Sequence, residues 1–187
     1  MDHFQLIVSS LILCGAGILL IPFLPSFLKP IIGFILVLVT AIITSIPAIH
    51  ALTGSPIEIH LYGISFFNDV PLRIDALSAW FILIINLTCI NGALYGIGYM
   101  KPYEEQKGNT SLHWISYLLM HVSLLSICCI QNSLMFLILW EIMTFSSFIL
   151  VIFEHTKKQT LKAGINFLIQ SHIGVLFLTM AFIWVAS

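Results

Sequence analysis

Charged positions in this chain are so sparse that they read as punctuation between apolar runs. No Asp, Glu, Lys or Arg falls within 3–28, 30–57, 76–100 or 163–187, and each run is at least as long as the roughly 20 apolar residues a helix needs to cross hydrocarbon. A fifth stretch, 108–153, holds one charge, Glu141, and has room for two spans, with Gln131-Asn132-Ser133 as the turn between them. The pattern predicts six helices near 4–22, 31–52, 77–98, 113–130, 134–153 and 163–185. The runs are continuously apolar rather than alternating in short segments, which excludes a membrane barrel. The expected fold class is all-α integral membrane, organised as a single membrane domain over 1–187.

The connections carry their own signals. Pro22, Pro25 and Pro30, with Lys29, form a tight link from helix one into helix two. The segment 53–75 contains Ile57-Glu58-Ile59-His60-Leu61-Tyr62, then Gly63, then Ile64-Ser65-Phe66. Alternation around a glycine predicts a small extracytoplasmic β-hairpin between helices two and three. Asp75 directly precedes helix three, where a carboxylate caps free N–H groups and meets the positive end of the helix dipole; a share in proton entry is the alternative role for it.

Composition sharpens the picture. Of 187 residues, 59% are hydrophobic and 8% charged, against roughly 25% charged in an average soluble domain, and the mean hydropathy is +1.07. An ordinary soluble enzyme is excluded. The net charge of −1 provides no basic field for nucleic acid. The N-terminus, Met1-Asp2-His3-Phe4, has no basic residue and no small-residue cleavage site follows, so the first run is retained as a helix. Connections 23–30, 99–112 and 154–162 hold Lys29, Lys101, Lys107, Lys157, Lys158 and Lys162, whereas the opposite side holds Arg73. The positive-inside bias places both termini outside the cytoplasm, in what is expected to be a bacterial inner membrane. Cys14, Cys89, Cys128 and Cys129 lie in apolar segments without metal-ligand spacing and read as buried free thiols. Gly92, Gly96 and Gly98 are spaced for close helix packing. No phosphate loop or nucleophile elbow is present, and neither metal nor redox cofactor is expected.

Glu141 is the charge that needs a reason. It falls near the bilayer centre, roughly 18 Å from the inner end of its helix at about 1.5 Å per residue. A carboxylate there costs on the order of 3 kcal/mol by insertion scales. Two explanations stand at this point: a protonated acid hydrogen-bonded to Thr144 or a neighbouring helix, or a member of a proton relay. His172 and His121 lie at comparable depths, roughly 15 Å and 12 Å by the same count. Imidazole titrates near neutral pH and burial raises a carboxyl toward it, which suits a relay; hydrogen-bonded packing roles for the two histidines remain the alternative. His3, His50, His60, His113 and His155 fall at interfaces or in loops and are assigned no role.

Several of these segments resemble a known family. Leu72-Arg73-Ile74-Asp75-Ala76-Leu77-Ser78-Ala79-Trp80-Phe81, ending in Leu94-Tyr95-Gly96-Ile97-Gly98-Tyr99-Met100, is similar to the third-helix signature of the antiporter-like membrane subunits of respiratory complex I. Trp140-Glu141-Ile142-Met143-Thr144-Phe145-Ser146-Ser147-Phe148 resembles that family's fifth helix, and Ser171-His172-Ile173-Gly174 its sixth. Cation/proton antiporters and group 4 membrane-bound hydrogenases use the same subunit type, and the wording is closest to the hydrogenase branch. Helices one and two match in hydropathy and position alone.

The resemblance implies that Glu141 is the family's essential helix-five glutamate, which in relatives pairs with a lysine on helix seven and gates protons along a central chain of Lys, His and Glu. It implies a fold of about fourteen helices in two inverted repeats. The present sequence stops after helix six, so that lysine is expected from another chain, or the protein is a fragment or remnant. The function expected is part of a proton-translocation path through Glu141, with His172 and His121, in an NADH:quinone oxidoreductase-like or membrane-bound hydrogenase complex. Its partners are then other membrane subunits, the lipid bilayer, protons and, as a further candidate, sodium. A truncated non-transporting scaffold and a cation/proton antiporter subunit without a redox partner are the alternatives.

Overall fold

The computed structural model describes residues 3–61, 70–103, 107–154 and 156–186. Six long helices follow one another: α1 His3–Leu20, α2 Lys29–Thr53, α3 Ala76–Tyr99, α4 Lys107–Ile127, α5 Ser133–Val151 and α6 Lys158–Ala186. All six are long and apolar enough to cross a membrane. Between α2 and α3, β1 Ile57–Leu61 pairs antiparallel with β2 Val70–Ile74, Ile57 opposite Ile74 and Leu61 opposite Val70.

Differences from the sequence reading have local causes. The strand that returns against β1 is β2, which contains Pro71 and no flanking glycine; Ile64-Ser65-Phe66, where the return was expected, lies outside the described residues. Pro71 is tolerated because the bonds that tie this strand to the α4–α5 connection do not call on the N–H it lacks: Gln131 N–H donates to Pro71 O and Arg73 N–H to Cys129 O, at 3.0 and 2.8 Å. Helix α4 begins at Lys107, six residues before the apolar pattern does, because hydrophilic Asn109–Ser111 continue the helix beyond the apolar stretch. Helix α6 likewise starts at Lys158.

Starts of helices are capped by the residue types their sequences offer. The Asp75 carboxylate accepts from Ser78 N–H at the head of α3, and the Asn132 side chain accepts from Met135 N–H at the head of α5.

The core occupies α1 to α4. Trp114, fully buried, is wedged between α2 and α3 at Gly33 and Gly96; a Cβ on Gly33 would meet the indole at 2.3 Å. That close approach is why Gly occupies position 33. Cys14, Ile21, Val37, Cys89, Ala93 and Leu118 complete this cluster, and a second one joins Ala48, Leu72, Ile74, Ile82 and Leu125 under the hairpin. Helix α5 packs on α4, and α6 chiefly on α5. Consequently α6 presents an open apolar face that includes Ile173, Leu176, Phe177 and Met180.

The two ends of the bundle differ. One carries the hairpin, its pairing with the α4–α5 connection, and the ring contact of His3 with His50. At the other, Lys29 is buried and donates to Ser111 at 2.6 Å. There Tyr103 O–H and Lys157 Nζ both donate to Glu154, each at 2.6 Å.

Candidate functional site

Helices α5 and α6 bring two of the sequence candidates together. Glu141 lies two turns into α5, and His172 lies midway along α6. His172 Nε2 stands 3.5 Å from Glu141 Oε2, at the long edge of polar contact. The Glu141 side chain is 39% exposed and that of His172 54%, so the pair lies on an open side of the α5–α6 unit rather than within the core. Thr144, the alternative partner for Glu141, is buried. Among the described residues the polar contact of the Glu141 carboxylate is with His172.

The other imidazole nitrogen determines what the pair holds. His172 Nδ1 lies 2.9 Å from Leu168 O, the carbonyl one turn back on α6. A carbonyl only accepts, so Nδ1 carries a hydrogen. Nε2 then faces Glu141 either as a bare lone pair opposite a protonated carboxyl, or as N–H opposite a carboxylate. Both arrangements contain one proton between Nε2 and Oε2. In either arrangement the pair can hold one proton, and its transfer between the two groups redistributes charge.

His121 belongs to a different neighbourhood. It is fully buried on α4, and its Nε2 lies 3.1 Å from Asn86 Oδ1 on α3. Asn86 Nδ2 in turn lies within 3.0–3.1 Å of Ala41 O, Thr44 Oγ1 and Ser45 Oγ on α2. These acceptors orient the amide with its oxygen toward the imidazole, so His121 Nε2–H is the donor. Thr44 and Ser45 carry no charge and give no signal in the sequence; Asn86, a polar residue in the middle of an apolar helix, is the one available pointer.

Asp75 sits at the hairpin end, its carboxylate 2.9 Å from Ser78 N. The Ser78 backbone N–H holds its pKa below the usual carboxylate range, with the Ser78 hydroxyl and the Arg73 charge acting in the same direction. At the opposite end, Lys157 and then Tyr103 lower Glu154, and the bond to Glu154 pushes the Tyr103 phenol up to about 12. Among the described residues no group of three His, Cys, Asp or Glu side chains is arranged to hold a metal ion.

Comparison with known proteins places this arrangement in context. No protein-family profile matches the chain. Hydrogenase-4 component B of Escherichia coli (strain K12) is 32% identical over 117 residues, which are 63% of this chain and 17% of that protein. The putative antiporter subunit mnhA2 of Staphylococcus saprophyticus is 26% identical over 117 residues, 63% of this chain and 14% of its own length. The Na(+)/H(+) antiporter subunit A1 of Staphylococcus haemolyticus is 33% identical over 116 residues, 62% of this chain and 14% of its own. The matched region therefore spans less than a fifth of each relative. Six helices long and apolar enough to cross a membrane and these three matches make the chain, over the matched part of its length, a homologue of Hydrogenase-4 component B and of two antiporter subunits.

Proposed function

We propose that the chain contributes part of a proton-translocation path in a membrane oxidoreductase complex of the hydrogenase type, with Glu141 and His172 as its proton-holding pair. The carrying observation is the 3.5 Å approach of His172 Nε2 to Glu141 Oε2 while Nδ1 is committed to Leu168 O. A cation approaching the pair favours the carboxylate, and its withdrawal favours the protonated acid. Charge movement in a neighbouring subunit is thereby converted into uptake or release of a proton. The resemblance to Hydrogenase-4 component B supports a redox complex as the setting. Electron transfer belongs to partner subunits in this reading.

The open side of the pair supports the presence of a membrane partner. Ionisable groups at bilayer depth face protein or water rather than lipid, so further helices cover α5 and α6, and a lysine among them supplies the cation. The lysine-rich connections face the cytoplasm and both termini the other side. Asp75, engaged with the first turn of α3, shapes the hairpin end instead of admitting protons. His121 donates to an amide oxygen, which does not pass a proton on, and its place is outside the Glu141–His172 step.

The test is Glu141→Gln in the complete complex, with redox-linked proton uptake measured in vesicles. Pumping falls by at least about a hundredfold, the lower end of the range for a lost acid–base group, while the subunits still co-purify. Unchanged pumping removes Glu141 from the mechanism. A second reading, cation/proton exchange without a redox partner, is favoured by the two antiporter-subunit relatives. Sodium-driven proton exchange in vesicles lacking electron donor distinguishes it.

A further inference from the structure

A cavity of about 240 Å³ lies where α1, α2, α4 and α5 meet the hairpin. Val70, Leu72 and Ile74 form its hairpin side, and five polar side chains line it among apolar ones: Ser10, Thr40, Thr44, Ser126 and Cys129. Each of the five is already engaged. Ser10 donates to Ile7 O at 2.7 Å, Thr44 to Thr40 O at 2.8 Å, Ser126 to Val122 O at 2.8 Å and Cys129 to Leu125 O at 3.3 Å. The fifth, Thr40, has its hydroxyl 3.0 Å from Cys14 Sγ. Water held in a cavity needs roughly two to four polar partners, whereas an apolar void of roughly 150 Å³ stays dry and takes a benzene-sized guest. The larger void here suits hydrocarbon.

The opening and the depth of the cavity point to one source of hydrocarbon. Leu11 on α1 and Leu139 on α5 both line it, yet α1 packs on α2 and α4, whereas α5 packs on α4 and α6. Among the described residues α1 and α5 share no packed seam, and Leu11 is 42% exposed. The cavity therefore opens sideways between two spanning helices, onto the bilayer. Leu11 lies eight residues from the start of α1, Leu139 six from the start of α5 and Val122 five from the end of α4, all counted from the hairpin end. Those depths are roughly 12, 9 and 8 Å at about 1.5 Å per residue, within the roughly 15 Å of hydrocarbon that one leaflet provides. We propose that the cavity binds one acyl chain of a phospholipid from the leaflet on the hairpin side, inserted between α1 and α5. Atoms lining an empty void forfeit dispersion contacts, and the inserted chain restores them. It also bridges two helices that do not pack together, touching α5 at Leu139, two residues before Glu141.

The test is photolabelling of the full-length chain in its membrane complex, reconstituted in bilayers that contain phosphatidylglycerol with a diazirine on one acyl chain. Adducts are mapped by peptide mass spectrometry. They form on the open face of α6, as surrounding lipid gives, and also on residues 122–126 of α4, where Leu125 is 7% exposed and reached through the cavity. Ser126→Leu and Ser10→Leu fill the cavity from α4 and from α1. Each lowers the adducts on 122–126 at least about fivefold, the lower end of what overpacking costs, while those on α6 persist. Val122→Ala enlarges the cavity and raises the 122–126 adducts, which keeps the test decisive where a filling variant does not fold. Free palmitic acid added to the bilayer leaves these adducts in place, and displacement by it overturns the assignment to a phospholipid. Labelling of α6 with none on 122–126 overturns the site and gives the cavity to a side chain of a neighbouring subunit. Adducts on 122–126 that neither filling nor enlarging the cavity alters overturn it as well.

Discussion

The α1–α4 unit and the α5–α6 unit treat buried polarity in opposite ways. In the first, polar side chains are withdrawn from solvent and bonded to one another: Cys14 to Thr40, Asn86 to α2, His121 to Asn86, Lys29 to Ser111. In the second, Glu141 and His172 meet at 3.5 Å with a third or more of each side chain open. A satisfied network holds helices in register, because removing either partner strands a polar group in a low dielectric. A pair left open on one side instead responds to whatever charge is brought against it. In the function proposed above, α1–α4 supply the packing and α5–α6 the response.

Trp114→Ala against Phe177→Ala gives the largest contrast. Trp114 fills the wedge between Gly33 and Gly96 and is fully buried, whereas Phe177 on α6 is 70% exposed. The first loses about 3–5 kcal/mol of stability, the range for deleting a buried large aromatic; the second changes it by less than about 0.5 kcal/mol. Unfolding of the purified chain in detergent measures both, and equal effects would dissolve the distinction between the units.

Asp75→Ala is the intermediate case. Loss of the cap on α3 costs about 1 kcal/mol. The native pKa of Asp75 is depressed, so its contribution is complete above the ordinary carboxyl value and disappears as pH falls through the lower native one. The wild type therefore loses this increment in acid and the variant has none to lose, which a pair of unfolding curves at neutral and acid pH reveals.

The smallest effect lies at the far end, where Tyr103 and Lys157 share Glu154. Glu154→Gln leaves stability nearly unchanged, as exposed ion pairs do, but returns the Tyr103 phenol from about 12 toward the ordinary value near 10. In the wild type the bonded, neutral phenol favours the fold at neutral pH, and that preference is lost as pH rises through the raised value. Phenolate absorbance during an alkaline titration follows it.

The helices were legible because charge-free length is a sufficient signal for a membrane span, as 76–100 and Ala76–Tyr99 illustrate. Helix ends built from polar residues were not: α4 begins at Lys107, and Ser111 and Thr110 in its first turns bond Lys29 and Tyr103, contacts that no apolar period records. The strand Val70–Ile74 was hidden by Pro71, which is accommodated because the bond made there uses its carbonyl, accepting from the distant Gln131 N–H, and not the N–H it lacks. Depth along the helices brought Glu141, His172 and His121 to a common level but carried no information about rotation, which is what separates the first two from the third. Asn86, the residue that takes His121, is uncharged and was invisible to an argument built on charge.

The account turns on one proton held between His172 Nε2 and Glu141. Nitrogen NMR of ¹⁵N-labelled His172 in the complete complex tests it most directly. The account predicts a protonated Nδ1 in every state, with an Nε2 signal that responds to the redox state of the complex and loses that response in Glu141→Gln. A bare Nδ1 with a permanently protonated Nε2, indifferent to Glu141, would contradict it.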